Sequence, residues 1–161
     1  MVTSSTKLPL RHWRTAIAAA AKDVAVYALS FSSAAVKDPV GLEAATAMIG
    51  AHIPLIGAGQ AYDLALVASA DDCQLLSRAI LCLGPGPALP DPVVADAIGE
   101  LANMLAGSMK RGLSSLGTEL ALGIPIFIHG YLQPTDRLSV VAFPTRLGMI
   151  NTVVLVAGDR R

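Results

Sequence analysis

Between Asp91 and Gly112 the chain reads DPVVADAIGELANMLAGSMKRG, a segment with two sharply different faces and a clear signal at each end. Asp91 is a natural N-cap, and Pro92 suits the first helical position, where a missing N–H costs nothing. Lys110, Arg111 and Gly112 supply a cationic last turn and a stop. At about 100° of rotation per residue, Asp96, Glu100, Asn103 and Gly107 share one narrow sector, with Lys110 and Arg111 at its edges. Ala97, Ile98, Leu101, Ala102, Met104, Leu105 and Met109 take the other side. A helix built this way buries one face and presents the other, so the rest of the chain has to supply an apolar layer for it. Gly107 costs helix stability but allows a close approach.

The remaining sequence offers that layer. Leu10 to about Leu29 is alanine-dominated, with Trp13, Ile17, Val24 and Ala28 at helical spacing, which predicts a long helix despite Val26 and Tyr27. Ser30 to Gly41 is open between a frayed helix end, a loop and a short strand, since Pro39 and Gly41 break it. Ala45–Gly57 and Ala61–Ser69 run apolar on either side of a GAGQ turn and read as a hairpin, with His52 in its first strand. Asp71 and Asp72 open a short helix to about Leu83, ended by the breaker-rich loop GPGPALPD. After the 91–112 helix, Ser114–Gly117 is a turn and three apolar strands follow, over Leu120–Gly130, Arg137–Thr145 and Leu147–Gly158. This order predicts an α+β fold, long helices packed on an antiparallel β-sheet.

Solvation and the helix dipole alone would also give a polar face with early acids, so the context of the stripe matters. The string GELANMLAG, followed by an apolar segment containing Pro125 and two more strands, resembles the CheC/CheX family of chemotaxis phosphatases. In that family an acid or serine, a Glu four positions on and an Asn three further lie on one long helix, and a proline follows in the next strand. The matching positions are Asp96, Glu100, Asn103 and Pro125. The order of elements fits from Ala45 to Gly158, while only the helix carries a specific motif.

The resemblance implies a CheC/CheX-like fold with internal pseudo-duplication. It also implies hydrolysis of the aspartyl phosphate on a CheY-type response-regulator receiver. Asn103 would position the attacking water, Glu100 would pair with the receiver's active-site lysine, and Asp96 and Gly107 would lie in the contact with the partner. No cofactor or metal ligand is then needed from this chain, because the receiver supplies the Mg2+. The motif occurs once; the N-terminal helix offers only Lys22 and Asp23 among its alanines, so no catalytic role carries over to it. A single copy resembles the CheX type, whose members form dimers, by analogy through exposed strand edges. The rival expectations are a non-catalytic receiver-binding or flagellar-switch adaptor of the same fold, and a plain dimerisation domain with a solvated stripe.

With 161 residues the chain suits one domain over 9–161, after a mobile N-terminus over 1–8. Its 53% apolar and 15% charged content raises the question of a membrane span, but Lys22, Asp23, Pro125 and His129 interrupt every run before the ~20 residues required. The excess apolar surface is expected in a dimer interface. Lys7, Arg11 and Arg14 before AIAAAA have the charge pattern of a signal peptide, yet the apolar core is short and alanine-rich, so a cytoplasmic location is expected. Cys73 and Cys82, nine residues apart, form no metal or redox motif and are expected as buried thiols. Twelve basic and twelve acidic residues create no field favouring nucleic acid or an anionic membrane. His12, His52 and His129 are too scattered for a metal set. Neither a phosphate-binding G-x-x-x-x-G-K-S/T loop nor a G-x-S-x-G elbow occurs.

Overall fold

The computed structural model describes residues 8–160. Helix α1 spans Leu10–Asp23 and runs on into a widened π-turn, Val24–Ala28. Short strands β1 (Ala34–Val36) and β2 (Val40–Gly41) resolve the segment that the sequence left open. The hairpin is β3 (Thr46–Gly57) and β4 (Gln60–Val67), closed at Gly57↔Gln60, where Gly59 has φ +74°. That left-handed conformation suits glycine. Helices α2 (Ala70–Ile80) and α3 (Asp91–Ser114) follow, then β5 (Ala121–Leu122), β6 (Ile126–Leu132), β7 (Leu138–Leu147) and β8 (Ile150–Asp159).

The eight strands form one antiparallel sheet with the path β1-β7-β8-β4-β3-β5. Both borders are completed by broken strands, β1 and β2 along β7, β5 and β6 along β3. The run Leu120–Gly130, expected as one strand, is therefore two. Pro125 lacks the N–H that an uninterrupted ladder needs, and the two pieces pair with opposite ends of β3. Helix, broken strand and hairpin recur in that order in each half of the chain, with α2 outside the pattern.

All three helices pack on one face of the sheet. Ile17, Leu101, Leu105 and Met109 meet Ile53, Leu55, Leu64, Leu66, Phe143 and Val154 in the main core. The alanines of α1 have a packing role: Ala16, Ala20 and Ala21 are buried, and a Cβ on Gly112 of α3 would lie 3.8 Å from the Cβ of Ala16, so small residues let the two long helices come close. Strand residues one step out of phase, including Met48, Ala65, Ala142 and Leu155, form a second apolar cluster on the opposite face, as the two-residue period of a strand requires. An apolar hollow of about 470 Å³ opens there.

Three local expectations need correction. The N-cap of α3 is Pro90, with no side-chain cap; Asp91 lies in the first turn. There its charge still complements the helix dipole. Helix α2 is capped by Ser69, whose hydroxyl accepts the Asp72 N–H at 3.0 Å, and ends at Ile80. Cys73 is buried as expected, but Cys82 is exposed, because it falls beyond that end with φ +55°. The expected mobile N-terminus falls outside the described residues apart from Leu8, whose N–H reaches the Tyr62 hydroxyl at 3.5 Å. No helix among the described residues is long and apolar enough to cross a membrane.

Candidate functional site

Helix α3 is 24 residues long, about 36 Å at 1.5 Å per residue. Val94, Ala97, Ile98, Leu101, Ala102, Leu105 and Met109 lie in the core and fix its rotation. Met104 is only half-buried and borders the polar stripe. With the helix locked in this way, Asp96 and Glu100 are exposed and Asn103 and Gly107 half-buried along one line.

The polar side chains of that line are uncommitted. Asp96, Glu100 and Asn103 make no hydrogen bond or ion pair among the described residues. Asn103 thus keeps two donors and a carbonyl acceptor available, three residues from a free carboxylate.

Gly107 extends the line without a steric reason inside the chain. A Cβ there would meet nothing nearer than Arg111 Nη1 at 4.0 Å, so its bareness leaves space for something outside and locates the Arg111 guanidinium over this turn. Asn103 and Gly107 also line a groove of about 440 Å³ whose opposite side is the end of α1, with Asp23 and Tyr27. There the Ser108 hydroxyl donates to Asp23 Oδ2 at 2.8 Å.

Pro125 flanks the stripe. Its Cβ would lie 3.9 Å from a Cβ on Gly99, one turn before Asn103, and the adjoining Ile124 is 81% exposed. One helix carries Asp96, Glu100 and Asn103, and the strand break sets Pro125 against the turn that precedes Asn103.

The histidines are elsewhere. His52 Nε2 lies 2.6 Å from Asp63 Oδ1 in a pair bridging β3 and β4, and His129 is exposed on β6. No group of three potential metal ligands occurs among the described residues. Sequence reasoning missed Tyr27, Asp23 and Ser108 as parts of this region. The signals were there in outline: an aromatic and a β-branched residue at the end of an alanine helix, and that helix's one acid.

The model of the chemotaxis phosphatase CheX matches residues 49–142, which include all of α3 and Pro125. The chain belongs to the CheX family. Solved structures agree on the fold. A CheC-like superfamily protein from Shewanella sp. PV-4 superimposes with a TM-score of 0.75 at 16% identity, over 96% of this chain and 100% of that one. CheX from Borrelia burgdorferi, solved as a complex with CheY, BeF3 and Mg2+, gives 0.65 at 15% identity, over 91% and 97% of the two chains. Thermotoga maritima FliY gives 0.63 at 15% identity, over 99% and 93%. Sequence comparison with curated proteins finds no significant match. The CheX-family match also accounts for the mixed architecture, helices against one antiparallel sheet.

Proposed function

We propose that this CheX-family chain hydrolyses the aspartyl phosphate of a CheY-type receiver domain. The observation that carries the reading is the unpaired Glu100 and Asn103 on the one open stripe of α3, inside the region matched by the family model.

The chemistry asks little of this chain. The receiver holds the acyl phosphate and its Mg2+, and transfer of the phosphoryl group to water proceeds through a loose transition state that responds mainly to positioning and electrostatics. Asn103 enters the receiver's site, its carbonyl accepting a hydrogen bond from water and its NH2 donating to a phosphoryl oxygen. A water oxygen bonds to phosphorus in line as the bond to the aspartyl oxygen breaks. The aspartate leaves as carboxylate, and the water's proton departs with inorganic phosphate. Glu100 pairs with the receiver's lysine, and this charge-assisted bond sets the register of the helix. Asp96, one turn earlier, lies at the edge of the contact, and Gly107 allows the receiver to approach.

The likeness to FliY supports a second reading, in which the same stripe binds a receiver or a flagellar-switch component without hydrolysis. Phosphate decay on receivers from the same genome, followed with Mg2+ and with this protein, tests both. Faster decay supports the phosphatase; tight binding with unchanged decay supports the adaptor and contradicts the phosphatase.

The protein acts as a homodimer in the cytoplasm, beside its receivers. Among the described residues strand β6 pairs only with β3, and its second edge, with Ile126 and Tyr131 exposed, offers unpaired backbone to another copy. Sedimentation equilibrium giving a monomer at micromolar concentration would contradict that assembly.

A further inference from the structure

The end of α1 is widened by one residue. Leu29 N–H bonds back five positions to the Val24 carbonyl at 3.1 Å, and Phe31 N–H reaches the Ala25 carbonyl at 2.7 Å. Turns of this kind are rare and are found frequently at functional sites. Val24 and Ala25 stay in the core, while Val26 and Tyr27 both turn outward, and Tyr27 is 82% exposed.

Tyr27 has no hydrogen bond or ring contact among the described residues, yet it borders the groove that Asn103, Gly107 and Arg111 line. An exposed aromatic forgoes the large burial that rings ordinarily supply, and Tyr and Arg are among the residue types enriched at interface hot spots.

We infer that this groove is a second contact for the phosphorylated receiver, with Tyr27 as its apolar anchor and Arg111 as the cation facing the anionic phosphorylation site. The inference rests on the phosphatase reading, from which it takes the occupant. Continuity supports that choice. Gly107 lies four residues past Asn103, about 6 Å along the helix, so a domain that receives the Asn103 side chain also covers this turn. Charge supports it as well. Arg111 has no carboxylate partner among the described residues, and Asp23, the acid that lines the groove, is engaged with Ser108. A cation left open on the groove that Asn103 also lines suits the acyl phosphate and the acidic residues that hold its Mg2+.

The test compares Tyr27→Ala, Tyr27→Phe and Asn103→Ala against receivers of the same genome. Binding is read with a receiver loaded with beryllofluoride and Mg2+, and turnover with the phosphorylated form. Because the Tyr27 ring packs into no core, its Ala variant should keep the parent melting temperature. We expect Kd and KM to rise about tenfold in Tyr27→Ala with kcat held within about twofold, and Tyr27→Phe to restore both. Asn103→Ala should lose kcat with Kd retained. If Tyr27→Ala keeps the parent Kd while Asn103→Ala is inactive, the groove contact is overturned and the phosphatase stands. An active Asn103→Ala variant overturns the phosphatase whatever Tyr27 does, and a failure of every receiver to bind overturns both.

Discussion

The Ser108 hydroxyl donates to the Asp23 carboxylate at 2.8 Å, joining residues 85 positions apart. It ties the end of α1, from which the π-turn with Tyr27 continues, to the half of α3 that follows Asn103. Ser108 is buried and Asp23 half-buried, so the bond is partly shielded from water. Ser108→Ala should cost about 1–2 kcal/mol, since it removes a charge-assisted bond and leaves the carboxylate short of a partner. In a domain of this size that lowers the melting temperature by roughly 3–6 °C. Calorimetry reads it, and an unchanged melting temperature would show the contact to be energetically idle.

Gly107→Ala should move stability and binding in opposite directions. Nothing inside the chain crowds a methyl at this position, so the variant gains about 0.5–1 kcal/mol of helix stability. The same methyl projects into the groove and should weaken receiver binding several-fold. Chemical denaturation and binding isotherms on one preparation decide it; a stabilised variant with parent affinity means that the partner does not approach this turn.

Gly50 is the opposite case. A Cβ on it would lie 2.0 Å from the Leu66 carbonyl oxygen and 2.8 Å from the Val67 Cα, both backbone atoms of the paired strand β4. Gly50→Ala must push β3 from β4 beneath α3 and should cost about 3 kcal/mol or more. The shift of the urea midpoint measures it, and a loss under 1 kcal/mol would contradict the strand contact.

The two cysteines should separate by reactivity. Burial, with the Asp72 charge nearby, pushes the Cys73 thiol up from 9.0 to about 11, whereas Cys82 is exposed. At pH 8 a thiol reagent should label Cys82 first, with Cys73 reacting only as the protein opens. The raised value also sets a sign. Below pH 9 the thiol is protonated in both folded and unfolded chains, so its contribution to stability is fully present. Between pH 9 and about 11 the unfolded chain loses the proton more readily, and stability falls. Urea titrations of the parent and Cys73→Ala across that window should show the parent losing its advantage as pH rises; a rising advantage would contradict the assignment.

Much of this was legible because it is local. Glu100, Asn103 and Gly107 could be placed on one stripe from helical spacing alone, since the apolar residues between them fix the rotation. The GAGQ hairpin was legible for a similar reason, a turn signal between two apolar runs. What escaped depends on tertiary partners. The division of Leu120–Gly130 into β5 and β6 is set by where β3 offers edge groups, and the pairing of β1 and β2 with β7 leaves no mark in Ser30–Gly41. The π-turn was hidden because a 3.6-residue period cannot register a bond to the fifth residue back. Tyr27 read as an awkward residue in a helix, because its place on the groove that Asn103 also lines depends on how α1 packs against α3. Cys82 was misplaced by the early end of α2.

In the proposed reaction Asn103 positions the water that attacks the receiver's aspartyl phosphate. Single-turnover decay of a phosphorylated receiver with saturating parent protein and with Asn103→Ala tests it most directly, because saturation removes binding from the comparison. The parent should accelerate decay, and the variant should lose at least about a hundredfold of that acceleration while still binding the beryllofluoride-loaded receiver. Equal decay with parent and variant, both bound, would contradict it.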